Sequence, residues 1–535
     1  MKNKFKILIG LLLLVMLVVS CAPAEPADPV DPVEPAEPVS GDVIVWARYG
    51  DADTIDPQAA TSTLSWQVYD QVFDTLLAFD MDGNVVPNLA KSWDVQDEGR
   101  VIVFELQDEA IMCHDGVEFT AEDVKFTAER AIDPATGNPT RSAWGPIESV
   151  EAVDEKTVVF TFETPFGPFV NFMADPFGSM ICKSGVETHG DQFANNPVGT
   201  GPWQFVSWTR GDEIVLTRNE NYINFGRPVQ NPGAPLAETL IIKTIPEPLT
   251  RKAAVETGSA TFAEPPLEEI ESIRNDARFQ LHIAEKTGQL QFLEFTTNRP
   301  PFNERWARQA VAHAVDIPTM LEIVFGDLVS WETCAVAQGV LGNDRDWCTP
   351  ISTSNQYDPE AAIALLEEHG YGPDNPLEVI LMSYTGGDRD KTLQVLQQQL
   401  EAVGFKINIE MMDIGTLNAR VRTENESGTG ISTMDSMGWA WFDPDIMYQL
   451  WHCPGAYLGY CDPELDLLLQ ATRTNTDPDV RVQYVKEATE FLFEDYAIIP
   501  MYTPAWEWIY FSNVDVEGFV YGPFNRPLFN DVVLP

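Results

Sequence analysis

The segment NLAKSWDVQDEGRVIVFELQDEAIMCHDGVEFTAEDVKFTAERAI, residues 88–132, reads as a strand, a tight turn and a capped helix in succession. Its apolar and β-branched run from Val101 to Leu106 predicts a mostly buried strand. His114-Asp115-Gly116 predicts the turn, because Asp hydrogen-bonds nearby backbone and Gly readily adopts positive φ. Thr120 and Asp123 have the spacing of a capping box, so a helix is expected to begin there. The segment therefore indicates an α/β protein.

This segment resembles the hallmark block of the family 5 solute-binding proteins of ABC importers, which include dipeptide, oligopeptide and nickel binders. One position departs from the family pattern, since Cys113 stands where an aromatic residue is usual. Further family landmarks follow in the family's order, at residues 196–203, 211–222, 301–316 and 357–371. The resemblance extends over about residues 41 to 530.

The resemblance implies an α/β fold of the periplasmic-binding-protein-like II class, with two α/β lobes around a hinged cleft and a small additional β-rich domain. In this family the chain starts in the first lobe, passes through the small domain, returns, crosses to the second lobe and comes back at its end. Transferred to this sequence, that order predicts a signal peptide at 1–20, a stalk at 21–40, the first lobe at 41–85, 197–285 and 506–535, the small domain at 86–196, and the second lobe at 286–505.

The N-terminal residues carry an export and anchoring signal. Three lysines precede an apolar run over residues 7–19, which is shorter than the roughly 20 residues of a membrane-spanning helix. Cys21 follows in a lipobox, so we expect cleavage before it, acylation of Cys21 and a tether outside the cytoplasmic membrane, in the periplasm or on the cell surface. Proline then recurs at every third residue from Pro23 to Pro38, mostly beside carboxylates, which predicts an extended polyproline II stalk or a plain disordered linker.

Composition narrows the range of partners. The chain has 82 acidic and 33 basic residues and a formal charge of −49, which repels nucleic acid and anionic membrane surfaces. We therefore expect no nucleic-acid partner, and we expect a monomer. Hydrophobic residues at 44% and aromatic residues at 11% are typical of a globular protein with more than one core.

Six cysteines remain once Cys21 is acylated, and an even number in an exported protein predicts disulfides. Neighbouring cysteines suggest three pairs, which are Cys113 with Cys182, Cys334 with Cys348, and Cys453 with Cys461. Metal binding is the alternative. His114 and His452 stand beside cysteines, but no second ligand pair has zinc spacing, so no metal site and no cofactor is predicted.

The resemblance implies a binding function rather than catalysis. Two lobes close on a solute, and the closed form is recognised by an ABC permease with its ATPase subunits. The sequence contains no G-x-S-x-G, H-E-x-x-H, P-loop or dinucleotide-binding motif, and the protein is predicted not to be an enzyme. An exported glycoside hydrolase or a surface receptor is the alternative from another class.

Peptide is the expected solute, although neither ionic anchor of peptide-binding relatives is plainly kept. Those relatives hold the ligand ammonium with an aspartate a few residues after Gly-Trp. Here Trp441 occupies that place, and Asp443 is the candidate, with a turn aspartate before proline as its structural alternative. The carboxylate-binding arginine of dipeptide binders corresponds to Ser383, and Arg389 lies nearer the next helix, as a ligand contact or a solvated helix start.

A neutral oligosaccharide is the alternative solute. Trp439, Trp441 and Trp451 could stack on sugar rings or pack in the core. In the first lobe, Thr61 and Ser62 belong to a segment that lines the cleft in relatives. They are either ligand contacts or caps of a helix expected over residues 66–77.

Overall fold

The computed structural model describes residues 42–59, 62–284, 287–354, 357–385, 389–427, 433–440, 443–453, 459–503 and 509–535. Within these ranges the strands form one sheet of seven, one of six, one of four and two of two. The seven-stranded sheet with the helices packed on it is here named the first lobe, and the six-stranded sheet with its helices the second lobe. The four-stranded sheet with its helices is the small domain.

The chain enters the first lobe and then forms a two-stranded ribbon. These elements are β1 (Val43–Arg48), α1 (Thr63–Val72), β2 (Leu77–Phe79) and β3 (Val85–Pro87). Helix α1 begins earlier and ends earlier than the helix expected over 66–77. Ser62 caps it, and its carboxyl end stops where the Phe73 carbonyl accepts a hydrogen bond from Arg227 Nη2 at 2.8 Å. A distant arginine therefore ends the helix before Leu77, which lies in β2.

The small domain follows as an antiparallel sheet with strand order β4-β5-β7-β6. Its elements are β4 (Ala90–Gln96), β5 (Val101–Leu106), α2 (Ala121–Ile132), β6 (Ile147–Ala152), β7 (Thr157–Phe162), α3 (Phe169–Phe172) and α4 (Lys183–His189). The predicted strand and capped helix are confirmed. The Asp123 carboxylate accepts the Thr120 N–H at 2.8 Å, which is the reciprocal bond of a capping box.

The chain then returns to the first lobe. Its elements there are β8 (Trp203–Thr209), β9 (Glu213–Arg218), β10 (Thr239–Thr244), α5 (Pro248–Glu256), β11 (Phe262–Ala263), α6 (Ile270–Arg274) and β12 (Phe279–Ile283). Together with β19 (Ile509–Asn513), these strands have the order β12-β19-β11-β1-β10-β9-β8, with β1 parallel to both of its neighbours. Strand β1 alternates its side chains between two cores. Trp46 belongs to the core that α1 and the small domain also share, whereas Ala47 belongs to the core under α5 and α6.

The second lobe contains a mixed sheet of order β14-β18-β13-β17-β15-β16 with helices on both faces. Along β13, Leu290 and Phe292 join the core on one face, and Leu293 and Phe295 join the core on the other. Its elements are β13 (Gln289–Phe295), α7 (Arg305–Ala314), α8 (Ile317–Phe325), β14 (Ser330–Trp331), α9 (Arg345–Ser354), α10 (Pro359–Glu368), β15 (Leu377–Tyr384), α11 (Arg389–Val403), β16 (Phe405–Met412), α12 (Ile414–Ser427), β17 (Thr433–Ala440), α13 (Asp445–Trp451), α14 (Pro463–Thr474), α15 (Pro478–Glu494) and β18 (Ile498–Thr503).

The C-terminal segment goes back to the first lobe. It forms β19 (Ile509–Asn513), which pairs with β11 and β12, and then the ribbon of β20 (Val520–Gly522) and β21 (Arg526–Leu528). The residue boundaries of the domains stay a prediction, but each large sheet draws its strands from separate parts of the sequence. The first sheet combines strands from 43–48, 203–283 and 509–513.

Three disulfides join the six described cysteines, and all three predicted pairs are confirmed. Cys113 pairs with Cys182 across 69 residues, Cys334 with Cys348 across 14, and Cys453 with Cys461 across 8. The first bridge ties the turn beside His114 to the start of α4. Such bridges stabilise mainly by restricting the unfolded chain, more strongly for longer loops.

Candidate functional site

The two large sheets are connected at corresponding edges. In the first lobe, β1, β10 and β11 are parallel, and in the second, β15, β16 and β17 are parallel. The chain crosses between the sheets from Ile283 to Gln289 and from Thr503 to Ile509. The strand directions place both crossings at the carboxyl-terminal edges of these parallel strands. Because open α/β sheets bind ligands outside the carboxyl ends of their strands, the candidate site is the cleft between these two edges.

On the first-lobe edge, the last residue of β1 is a buried arginine. Arg48 is fully buried, its Nη2 donates to Gln67 Oε1 at 3.3 Å, and its Cζ lies 4.6 Å from the centroid of the Trp46 ring. Burial lowers the pKa of Arg48, although Tyr510 and Glu264 favour its charged form. The Glu264 carboxylate follows β11 and accepts the Tyr49 N–H at 3.0 Å. This edge therefore concentrates buried polar groups.

On the second-lobe edge, Arg389 opens α11 and is buried rather than solvated. Its Nη2 donates to Tyr384 Oη at 2.5 Å, and its Cζ lies 3.9 Å from the Tyr384 ring centroid. Ser383, at the place of the relatives' arginine, is fully buried in β15. Gln291 of β13 is also fully buried, and neither atom of its amide has a hydrogen-bond partner among the described residues. Arg389 is thus the buried first residue of α11 and bonds the last residue of β15, whereas its predicted contact with the solute stays a prediction.

Asp443 is held by neighbouring protein groups. Arg481 Nη1 donates to its Oδ2 at 2.9 Å and Nη2 to its Oδ1 at 2.5 Å. The Asn171 amide of the small domain donates to Oδ2 at 2.9 Å, and the Asp445 N–H donates to Oδ1 at 2.9 Å. A carboxylate has about four acceptor positions, so these bonds fill it. A ligand ammonium would therefore have to compete with a buried guanidinium.

The other residues predicted to contact the solute are a helix cap, a core residue, and residues that the structure describes in part or not at all. Ser62 caps α1 through a bond from the Ser65 N–H at 3.3 Å, which is the capping role left open by the sequence. The backbone of Trp439 pairs with Leu290 in the sheet of the second lobe, and its side chain is not among the described parts of the structure. Thr61 and Trp441 also lie outside the described residues. Trp451 is a core residue, 1% exposed and 6.4 Å from Phe292 between ring centroids, so it is not a sugar-stacking surface.

Sequence reasoning missed Arg48 and Arg481. Arg48 carried a signal, because a charged residue ends an otherwise apolar strand at the edge where the chain leaves the sheet. Arg481 carried none, since its partner Asp443 is 38 residues away in the sequence.

The part of the chain that the structure describes contains no group of three or more residues able to hold a metal ion. Its His114, beside Cys113, is neutral, because burial lowers the pKa of His114 to about 4.

One protein-family profile matches more than half of this chain. The profile described as bacterial extracellular solute-binding proteins, family 5 Middle, matches residues 84–457. Among curated proteins, the glutathione-binding protein GsiB of Escherichia coli K12 is 28% identical over 475 residues, which cover 86% of this chain and 88% of that protein.

Solved structures share the fold across nearly the whole chain. DppA of Helicobacter pylori, in complex with the peptide STSA, has a TM-score of 0.78 and 24% identity, covering 92% of this chain and 98% of its own. The oligopeptide-binding protein AppA of Bacillus subtilis, in complex with a nonapeptide, has a TM-score of 0.79 and 20% identity, covering 93% and 100%. These likenesses confirm the predicted fold class, with two α/β lobes of the periplasmic-binding-protein-like II type.

Proposed function

This chain belongs to family 5 of the bacterial extracellular solute-binding proteins, and we propose that it captures a short peptide between its lobes and delivers it to an ABC permease. The observation that carries the proposal is the pair of crossings at the carboxyl-terminal edges of the two sheets. A hinge made of a few residues at two such crossings lets one lobe close on the other around a bound solute. No covalent step is needed.

The choice of peptide is supported by the proteins that this chain resembles. The curated relative is named for glutathione, a small peptide, and the solved neighbours include complexes with a tetrapeptide and with a nonapeptide. Arg389 and the other predicted contacts, namely Trp439, Trp441, Asp443, Thr61 and Ser62, stay candidates for binding it. The Arg389 guanidinium, bonded to Tyr384 Oη, adds a buried positive charge on the second-lobe edge.

Peptides are expected to raise the melting temperature of the mature chain, and oligosaccharides are not. A solute that binds only the folded state, supplied at 100 times its Kd, adds about 2.7 kcal/mol of stability. The measurement is a thermal-shift screen with STSA, Met-Leu and glutathione, and with cellobiose and maltotriose as the sugar arm, followed by mass spectrometry of the recovered ligand. Recovery of intact peptide supports a transport protein, whereas hydrolysed ligand or a shift with sugars alone overturns the proposal.

We also propose that Cys21 carries the lipid that tethers the protein outside the cytoplasmic membrane. The support is the lipobox after the apolar run, in residues that lie outside the described part of the chain. Among the described residues, no helix has the length and apolar character required to cross a bilayer.

Replacing this cysteine, Cys21→Ala, is expected to move the protein from the membrane fraction to a soluble fraction outside the cytoplasm. The physical reason is that acyl chains supply the membrane affinity, and the acidic chain adds none. Metabolic labelling with a radioactive fatty acid and fractionation check this, with Ala22→Ser as the matched control. Label incorporated into the Cys21→Ala variant would contradict the assignment.

A further inference from the structure

Arg48 has hydrogen-bond donors that the described part of the protein leaves unused. Its side chain is fully buried, yet Nε and Nη1 have no hydrogen-bond partner among the described residues. Within the described part of the chain, only its Nη2 is bonded, to Gln67. Buried polar groups in folded proteins nearly always have a partner, so a fully buried guanidinium with two unbonded nitrogens calls for a ligand or ordered water.

The nearby carboxylates are directed elsewhere. The Asp51 carboxylate accepts the Trp208 indole N–H at 3.1 Å and the Gly211 N–H at 2.8 Å. The Glu264 carboxylate accepts the Tyr49 N–H and lies 3.6 Å from Arg251 Nε. These acids favour the charge on Arg48 through space without hydrogen-bonding it. Arg48 is therefore a buried cation without a hydrogen-bonded carboxylate among the described residues.

A second buried group close to Arg48 also has an unused atom. Gln67, which accepts from Arg48, donates from Nε2 to the Asn525 carbonyl at 3.1 Å. Asn525 is fully buried, and its side-chain Oδ1 has no hydrogen-bond partner among the described residues. Both Phe524 and Asn525 have positive φ, at 61° and 62°, a conformation that is uncommon outside glycine and recurs at binding sites.

This polar group touches the crossing between the lobes. The Asn525 amide Nδ2 donates to the Thr287 carbonyl at 3.0 Å, and Thr287 lies in the segment between β12 and β13. A hydrogen-bonded chain thus runs from Arg48 through Gln67 and Asn525 to that crossing. A ligand bound to Arg48 would therefore be linked through hydrogen bonds to Thr287, just before β13.

We infer that Arg48 and Asn525 form a first-lobe subsite for a carboxylate of the solute, with Arg48 donating to the carboxylate and Asn525 Oδ1 accepting an adjacent N–H. The inference rests on the proposed function and narrows it to peptides with an accessible carboxylate. Full burial of both residues fits a solute that is enclosed by protein when bound. The alternative, internal water on a purely structural arginine, predicts no preference for charged ligands.

The test compares each peptide with its C-terminal amide. Titration calorimetry uses STSA and its amide, and glutathione and its monoamides. The wild type is expected to bind the free acid roughly 10- to 100-fold more tightly than the amide at one carboxylate position. Arg48→Met is expected to abolish that preference and to leave the affinity for the corresponding amide nearly unchanged. Arg48→Lys should keep part of the preference for the free acid. Arg278→Met, at an exposed arginine paired with Asp276, is the matched control.

A second variant guards against a folding defect in Arg48→Met. Gln67→Glu places an internal carboxylate beside the same guanidinium, so it should weaken the affinity for the free acid selectively through competition. It also loses the bond from Gln67 Nε2 to the Asn525 carbonyl, so circular dichroism and the melting temperature must first show that the variant is folded. Preference for the carboxylate that survives in both Arg48→Met and Gln67→Glu overturns the inference and leaves the peptide function standing. Failure of the wild type to bind any of the peptides overturns both.

Discussion

Replacing Asp70 with alanine is expected to destabilise the protein by about 3–5 kcal/mol, the usual cost of stranding a buried charge. Asp70 is 1% exposed on α1 and is shared by two arginines from distant parts of the chain. Arg526 bonds both of its carboxylate oxygens, and Arg227 Nη1 lies 3.5 Å from Oδ2. The alanine variant would leave Arg526 without the carboxylate it bonds, and Arg227 with Asp74 as its one remaining carboxylate among the described ion pairs.

The size of this effect follows from how completely the network is enclosed. Burial disfavours the charge on Arg227, but Asp70 and Asp74 outweigh burial and raise its pKa. Arg227 also donates to the carbonyls of Asp70 and Phe73, at 2.7 and 2.8 Å, so it fixes the end of α1. Losing Asp70 therefore disturbs both the charge balance and the helix terminus.

Urea denaturation followed by tryptophan fluorescence measures the change. Asp70→Asn keeps the shape and one acceptor oxygen, so its loss should be smaller than that of Asp70→Ala. Glu220→Ala removes an exposed acid that pairs with Arg218, and it should leave the stability close to that of the wild type. A stability for Asp70→Ala equal to that of Glu220→Ala would show that the buried network contributes little.

The predictable parts of the fold were those whose determinants are adjacent in sequence. The strand Val101–Leu106 and the helix after Thr120 depend on alternation and on a cap three residues away, which the sequence displays directly. The expected helix over 66–77 was wrong at both ends. Its start depended on Ser62, and its end on Arg227, more than 150 residues along the chain.

The candidate site was less predictable for the same reason. Arg389 was identified because family landmarks locate its loop, and the structure shows it buried against Tyr384. Asp443 was identified as a ligand for a positive charge, but local sequence could not show that Arg481 already supplies one. Arg48 looks like an ordinary strand end until tertiary packing encloses it. Which charges remain available to a ligand is decided by long-range packing.

Asp443 lies where the small domain meets the second lobe. Besides the Asn171 bond, the Gly167 N–H donates to the Arg473 carbonyl at 2.8 Å, and Arg473 Nη2 donates to the Ser142 carbonyl at 3.0 Å. Ser142 Oγ in turn donates to Gln449 Oε1 at 3.0 Å. These contacts make Asp443 part of an interface between domains as well as part of an ion pair.

The second large effect is expected at this ion pair. Asp443→Ala should cost about 3–5 kcal/mol of stability, because Arg481 is only 4% exposed in its side chain and would lose its carboxylate. The double variant Asp443→Leu/Arg481→Leu removes both charges together and should recover part of that loss, since a buried ion pair replaced by apolar groups is often nearly neutral. Recovery is incomplete because the Asn171 amide and the Asp445 N–H lose their acceptor. Urea denaturation of the two single variants and the double variant gives the coupling between the residues.

Peptide affinity measured on the same variants separates the two roles of Asp443. If Asp443 serves only the ion pair, affinity should recover in the double variant together with stability. If it also holds the ligand ammonium, the affinity loss should persist in the double variant, because the stabilised fold still lacks the carboxylate. Among the described residues, Asp443 is the only bidentate partner of the buried Arg481 guanidinium, so its loss should be costly. A loss of stability below about 1 kcal/mol in Asp443→Ala would therefore contradict the structural role of Asp443.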